Sequence, residues 1–87
     1  MIYKIIIQDS VQKELKNLPQ LEFKKIQKTI LSLAFNPFPM GSLKLEGTKE
    51  KLYRVRKGDY SIIYTVDHTI ITITILKIAH RRDVYKF

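Results

Sequence analysis

The stretch "LYRVRKGDYSIIYTV" (52–66) decides the fold. Two runs rich in β-branched and aromatic residues, 52–57 and 60–66, flank Gly58-Asp59. Glycine first in a two-residue loop suits a type II′ turn, so the stretch reads as a hairpin. Its register follows: Lys57 opposes Tyr60, Arg56 opposes Ser61, Val55 opposes Ile62 and Arg54 opposes Ile63. Side chains alternate along a strand. Tyr53, Val55, Ile62 and Tyr64 therefore share a face expected to pack under the rest of the chain. Arg54, Arg56, Ser61 and Ile63 share the opposite one. Two cations held ~7 Å apart on a stiff strand repel each other mildly in water. The residues alone leave two readings open: a solvated face, or a face on which an anion sits between two guanidinium groups.

Outward from the hairpin, the pattern changes on the N-terminal side. "IYKIIIQ" (2–8) is a β-branched run and reads as a strand. Asp9 and Ser10 follow as capping candidates. Val11, Leu15 and Leu18 recur at helical spacing over 10–18, and Pro19 punctuates that helix. A second helix is expected over 20–35, with Ile26, Ile30 and Leu33 as its buried stripe and Lys24, Lys25 and Lys28 solvated. "NPFPMGS" (36–42) ends it, since two prolines and a glycine cannot continue a helix. Residues 43–51 read as a loop or irregular strand. On the C-terminal side, Asp67-His68 is a plausible second turn and 70–78 a long β-branched strand. The order β-α-α-β-β-β predicts an α+β domain spanning 1–87, with a small, mostly antiparallel sheet and two N-terminal helices on one face.

Composition bounds the function. The 87 residues suffice for one modest core. There is no cysteine, which excludes disulfides and thiolate metal sites and fits a reducing cytoplasm. No apolar run reaches membrane-spanning length, and the N-terminal stretch lacks the pattern of a signal peptide. Sixteen Lys and Arg against eight Asp and Glu give a net charge of +8. Such an excess attracts polyanions over long range. Nucleic acid is the leading partner class; an acidic protein or an anionic membrane would also satisfy the charge, and the plainer reading is a basic protein whose lysines only keep it dispersed. The tail "AHRRDVY" adds His80, Arg81, Arg82 and Tyr85 after the last strand, a set suited to phosphate binding and base stacking if it reaches the arginine face. Lys44, Lys49 and Lys51 precede the hairpin and are expected along its rim.

The chain resembles the RelE/ParE toxin superfamily, and within it the RelE branch. The resemblance rests on "VQKELKNLP", "IQKTILSLAFNPFPMGSLKLEG", "YRVRKGDYSIIYTV" and "ILKIAHRRDVYK", in that order. It implies the toxin of a type II toxin–antitoxin pair. It further implies a ribosome-dependent endoribonuclease that cuts messenger RNA in the A site by attack of a ribose 2′-hydroxyl, with no metal or other cofactor. The implied partners are the ribosome with its message and an acidic antitoxin. No membrane is involved, and promoter DNA is met only through the antitoxin. Carried onto this chain, the family pattern gives Arg54, Arg56, Arg81 and Tyr85 catalytic roles. His80 is added as the titrating group, since arginine is a poor proton acceptor; its alternative is a hydrogen bond closing the strand end. Lys44, Lys49, Lys51, Ser61 and Arg82 are expected to contact RNA. Ser61 departs from the pattern, which carries arginine there. The gyrase-inhibiting ParE branch shares the fold and stands as the alternative, as does a weakened or silent toxin.

Overall fold

The computed structural model describes residues 2–47 and 51–82. Its elements run β1 (Lys4–Ile7), α1 (Asp9–Lys16), α2 (Gln20–Leu33), β2 (Leu43–Lys44), β3 (Tyr53–Lys57), β4 (Tyr60–Asp67) and β5 (Thr72–His80). The five strands form one sheet in the order β1-β5-β4-β3-β2. β1 lies parallel to β5, and the remaining pairs are antiparallel. The expected α+β architecture is thus present, with the irregular segment after α2 adding a short edge strand. None of the helices among the described residues is long and apolar enough to cross a membrane.

Both helices lie on one face of the sheet because their apolar residues form single stripes. Val11 and Leu15 of α1 and Ile26, Ile30 and Leu33 of α2 are buried against Val55, Ile62, Tyr64, Ile73, Ile75 and Ile78. Spacings of three and four residues put each set on one side of its helix. α1 starts one residue before the expected position. Gln8 is its N-cap and makes no side-chain capping bond, while Asp9 sits in the first turn, where a carboxylate meets the positive end of the helix dipole. Tyr64 anchors the loop after α2: its hydroxyl donates to the Pro37 carbonyl at 2.7 Å from a fully buried ring. Burial pushes its phenol up to about 12, against a hydrogen bond from Ser42 that lowers it and the nearby Tyr53, which raises it.

The hairpin register is the one read from the sequence, from Lys57 opposite Tyr60 to Tyr53 opposite Tyr64. Gly58 has φ +61° and Asp59 is outside the left-handed region, as a type II′ turn requires. The β4–β5 connection is longer than expected. Asp67 ends β4, and its carboxylate accepts from the Thr69 amide at 2.9 Å, the Thr69 hydroxyl and the Ile70 amide. Those bonds hold the Asp67 carboxyl below the usual carboxylate range. Ile71 adopts φ +51°, a costly conformation for a β-branched residue, and β5 begins at Thr72 rather than at 70.

The register between β4 and β5 shifts between Ile63 and Tyr64: Ile63 opposes Lys77, and Tyr64 opposes Ile75. Leu76 is the extra residue, so this is a β-bulge. It lets Ile73, Ile75 and Ile78 all reach the helix-covered core although strict alternation would split them. It also decides which residues of β5 face the other way.

Candidate nucleic-acid interface on the uncovered sheet face

Strand register assembles the face away from the helices row by row. Leu43, Arg54, Ile63 and Lys77 form one row, and Arg56, Ser61 and Ala79 form the next. Arg54 and Arg56 therefore stand on one face, as alternation predicted. Arg56 is exposed and Arg54 is half-buried. The Arg54 Nε is shut off from solvent and has no hydrogen-bond partner among the described residues. A buried donor left unbonded costs about 1–3 kcal/mol.

The face is less open than the sequence suggests. Ser61 is 1% exposed, Ile63 1% and Ala79 2%. They belong to the two central strands. Their neighbours across the sheet are long: Arg54 and Lys77 flank Ile63, and Arg56 flanks Ser61. Ser61, expected to touch RNA, is thus a buried residue of this face. Lys77, which the sequence reading passed over, shares the row of Arg54. The bulge at Leu76 is what turns it to this side.

The same bulge removes His80 from the site. Ala79 opposes Ser61 on the arginine face, so His80, opposite Tyr60, points to the helix side. Its ring packs edge-on against Tyr60 with centroids 5.2 Å apart, and its Nδ1 accepts from the Arg82 amide at 3.2 Å. His80 closes the strand end, which was its alternative role, and it is not beside Arg54 and Arg56.

Arg81 is brought to the hairpin end of the sheet. Its amide donates to the Asp59 carbonyl at 2.7 Å, and its guanidinium lies 3.7 Å from the Asp59 carboxylate. Both side chains are mostly exposed, so the pair holds Arg81 weakly, at about 0–1 kcal/mol. A phosphate can replace Asp59 at small cost. Arg82 is exposed. Lys51 is exposed and lines a shallow groove of about 500 Å³ with Thr65, Thr74, Leu76 and His68. Lys44 opposes Tyr53 and so sits on the rim but toward the helix side. Lys49 and Tyr85 lie outside the described residues.

A five-stranded sheet backed by two helices is a fold that known proteins share. The model of the family described as "ParE toxin of type II toxin-antitoxin system, parDE" matches residues 5–85. The chain belongs to the RelE/ParE toxin superfamily. A Methanocaldococcus jannaschii protein carrying the name "Putative toxin RelE1" is 34% identical over 88 residues, covering 99% of this chain and 98% of that protein. The archaeal RelE–RelB complex from Pyrococcus horikoshii contains a chain 36% identical, with a TM-score of 0.82 over 93% of this chain and 97% of that one. The isolated Escherichia coli RelE toxin is 18% identical with a TM-score of 0.76 over 97% and 92%, a likeness of fold alone. The family model carries the ParE description, whereas these relatives carry the RelE name. The chain is a RelE-family toxin of the type II toxin–antitoxin class.

Proposed function

We propose that this toxin is a ribosome-dependent endoribonuclease that cuts messenger RNA in the A site without a metal, and that it acts in the cytoplasm. The observation that carries the reading is the placement of Arg54 and Arg56 on one sheet face, Arg56 exposed, that neither α1 nor α2 covers. A phosphodiester seated there accepts from both guanidinium groups. The 2′-oxygen attacks phosphorus, the bond to the 5′-oxygen breaks, and the products are a cyclic phosphate and a 5′-hydroxyl. Arg54 and Arg56 stabilise the added charge of the phosphorane, and fixed donors of this kind dominate such catalysis. Arg81 exchanges Asp59 for a neighbouring phosphate, and Tyr85 stacks on or orients a base. His80 pairs with Tyr60, whose side chain lies on the helix side, and is given no part in this step. The 2′-hydroxyl proton leaves to water and the departing 5′-oxygen takes one up, so the step needs no net proton.

The relatives of known structure include complexes with an antitoxin, RelB. By analogy, this chain is held silent by a small antitoxin protein, whose dissociation frees the basic face. A second reading has its own support. The matching family model is described as ParE, and the position of Ser61 lacks the arginine usual in the nuclease branch. A ParE-like gyrase inhibitor needs no phosphate cage. Induction of the toxin followed by primer extension separates the two. Breaks inside codons support the nuclease, whereas intact message with double-strand DNA damage supports the inhibitor.

A further inference from the structure

β5 has a strand on both sides for only part of its length. β1 pairs with residues 72–75 and ends at Ile7, so along residues 76–80 no strand among the described residues lies on that side. A bare strand edge carries unpaired amides and carbonyls. Here α1, which follows β1, supplies a partner. The Ile78 amide donates to the Glu14 carboxylate at 3.3 Å. Glu14 thus takes over where β1 stops, two residues past the bulge at Leu76, where the ladder is locally disrupted. A carboxylate is a costly choice for this position. Glu14 lies between Val11 and Leu18, beside Leu15, on the stripe that α1 turns to the core. It is half-buried, and among the described residues no cation forms an ion pair with it. Turning a charge toward a core costs stability unless it is paired or hydrogen-bonded. The group that this one meets is the Ile78 amide.

We infer that Glu14 is a positioning residue for the basic face: its carboxylate braces the half of β5 that β1 does not flank, and so fixes the strand that carries Lys77 and runs into Arg81. Lys77 stands in the row of Arg54, one residue before Ile78, and Arg81 follows the end of β5. Beyond the strand, Arg81 is tied to the exposed Asp59, a weak hold. Where these two cations stand therefore depends on how firmly residues 76–80 are fixed. A negative charge near a face that takes phosphate works against binding by itself. What a glutamate contributes here is reach and acceptor strength. Aspartate is one methylene shorter, and a charged acceptor bonds an amide more strongly than a neutral one. The inference rests on the reading that the basic face binds RNA, but not on cleavage.

Three variants separate reach from charge. Glu14→Gln keeps the reach and loses the charge, Glu14→Asp keeps the charge and loses the reach, and Glu14→Ala loses both. Amide hydrogen exchange followed by NMR should be about 10-fold faster at Ile78 in the Asp and Ala variants, and close to the parent in the Gln variant. With single-stranded RNA each cation–phosphate contact releases about 0.7 counterion, worth about fourfold in affinity in ~0.15 M salt. Weakening the contacts of Lys77 and Arg81 should therefore lower the affinity of the Asp and Ala variants for a fluorescent, unstructured RNA by about 4- to 15-fold. Glu14→Gln should bind at least as tightly as the parent, because it only adds net positive charge. Thermal melts check that each variant folds, and the Asp–Gln comparison decides if the Ala variant does not. Three results overturn the role: Ile78 exchange in the Asp variant equal to that of the parent, an Asp variant that binds RNA like the parent, or an equal loss of affinity in the Gln variant. A parent that binds no RNA would refute the RNA reading separately. The inference is then judged on the backbone resonances of Lys77 and Arg81, which should shift in the Asp and Ala variants and hold in the Gln variant; resonances that hold in all three overturn it.

Discussion

Replacing Ser61 by arginine sets activity against stability at one position. Ser61 is 1% exposed between Arg56 on β3 and Ala79 on β5. Ser61→Arg forces a long stem and a guanidinium into closed space beside two arginines. Overpacking of this kind costs roughly 1–3 kcal/mol, before any like-charge repulsion is counted. For a domain of this size each kcal/mol moves Tm by about 4–8 °C, so the expected fall is about 5–20 °C. The same guanidinium restores a fixed donor to the phosphate site, and one such donor is worth about 10²–10³ in rate. The two effects are of similar magnitude and opposite sign, a trade between stability and activity at a single residue. Thermal denaturation and cleavage of message on programmed ribosomes read them separately, with Ser61→Ala as a near-neutral control for both. A variant that melts within 1–2 °C of the parent would refute the closed environment of residue 61. A variant that is destabilised but cuts no faster would refute the view that a missing cation limits this toxin.

Tyr64→Phe should cost about 1–3 kcal/mol, because the half-buried Pro37 carbonyl then loses its donor; chemical denaturation measures it. With the phenol raised to about 12, the folded parent should also lose stability as pH climbs from about 10 toward 12, since the unfolded chain ionises first, and the Phe variant should lack that limb. Arg81→Ala should relieve growth arrest while changing stability by less than about 1 kcal/mol, because its partner Asp59 is exposed; a large drop in Tm would reassign Arg81 to structure. Asp67 titrates in the opposite sense. Its depressed carboxyl stabilises the fold above the unfolded value of about 3.9, and that contribution fades as pH falls below it. Asp67→Asn should flatten the acid limb of a melting curve taken against pH, and an unaltered acid limb would discount the turn bonds.

The hairpin was legible because a glycine-led turn fixes register and register fixes faces. From "RKGDYS" alone every pairing of β3 with β4 follows. The helices were legible because apolar residues three and four apart have only one side to bury. Two features left no trace in the sequence. The run from Ile70 to Ile78 alternates well enough to look like an uninterrupted strand, so nothing marks Leu76 as a bulge or Ile71 as a left-handed turn residue. That bulge turns Lys77 toward the arginines and His80 away, so the faces these two side chains take could not be read from the run. Burial of Ser61 was hidden for a related reason. Alternation tells which face a side chain takes, but not how closely that face is covered. The reach of Glu14 to the Ile78 amide depends on how α1 lies against β5, a tertiary fact that no local pattern encodes.

The central claim is that Arg54 and Arg56, on the sheet face opposite the helices, hold a transcript's phosphate for cleavage. Purified ribosomes programmed with a defined message test it most directly, comparing the parent with Arg54→Ala, Arg56→Ala and His80→Ala. The account predicts codon-internal breaks from the parent and from the His80 variant, and a loss of about 10²-fold or more from each arginine variant with the fold intact. Unbroken message with the parent protein, or cleavage that survives loss of both arginines, would contradict it.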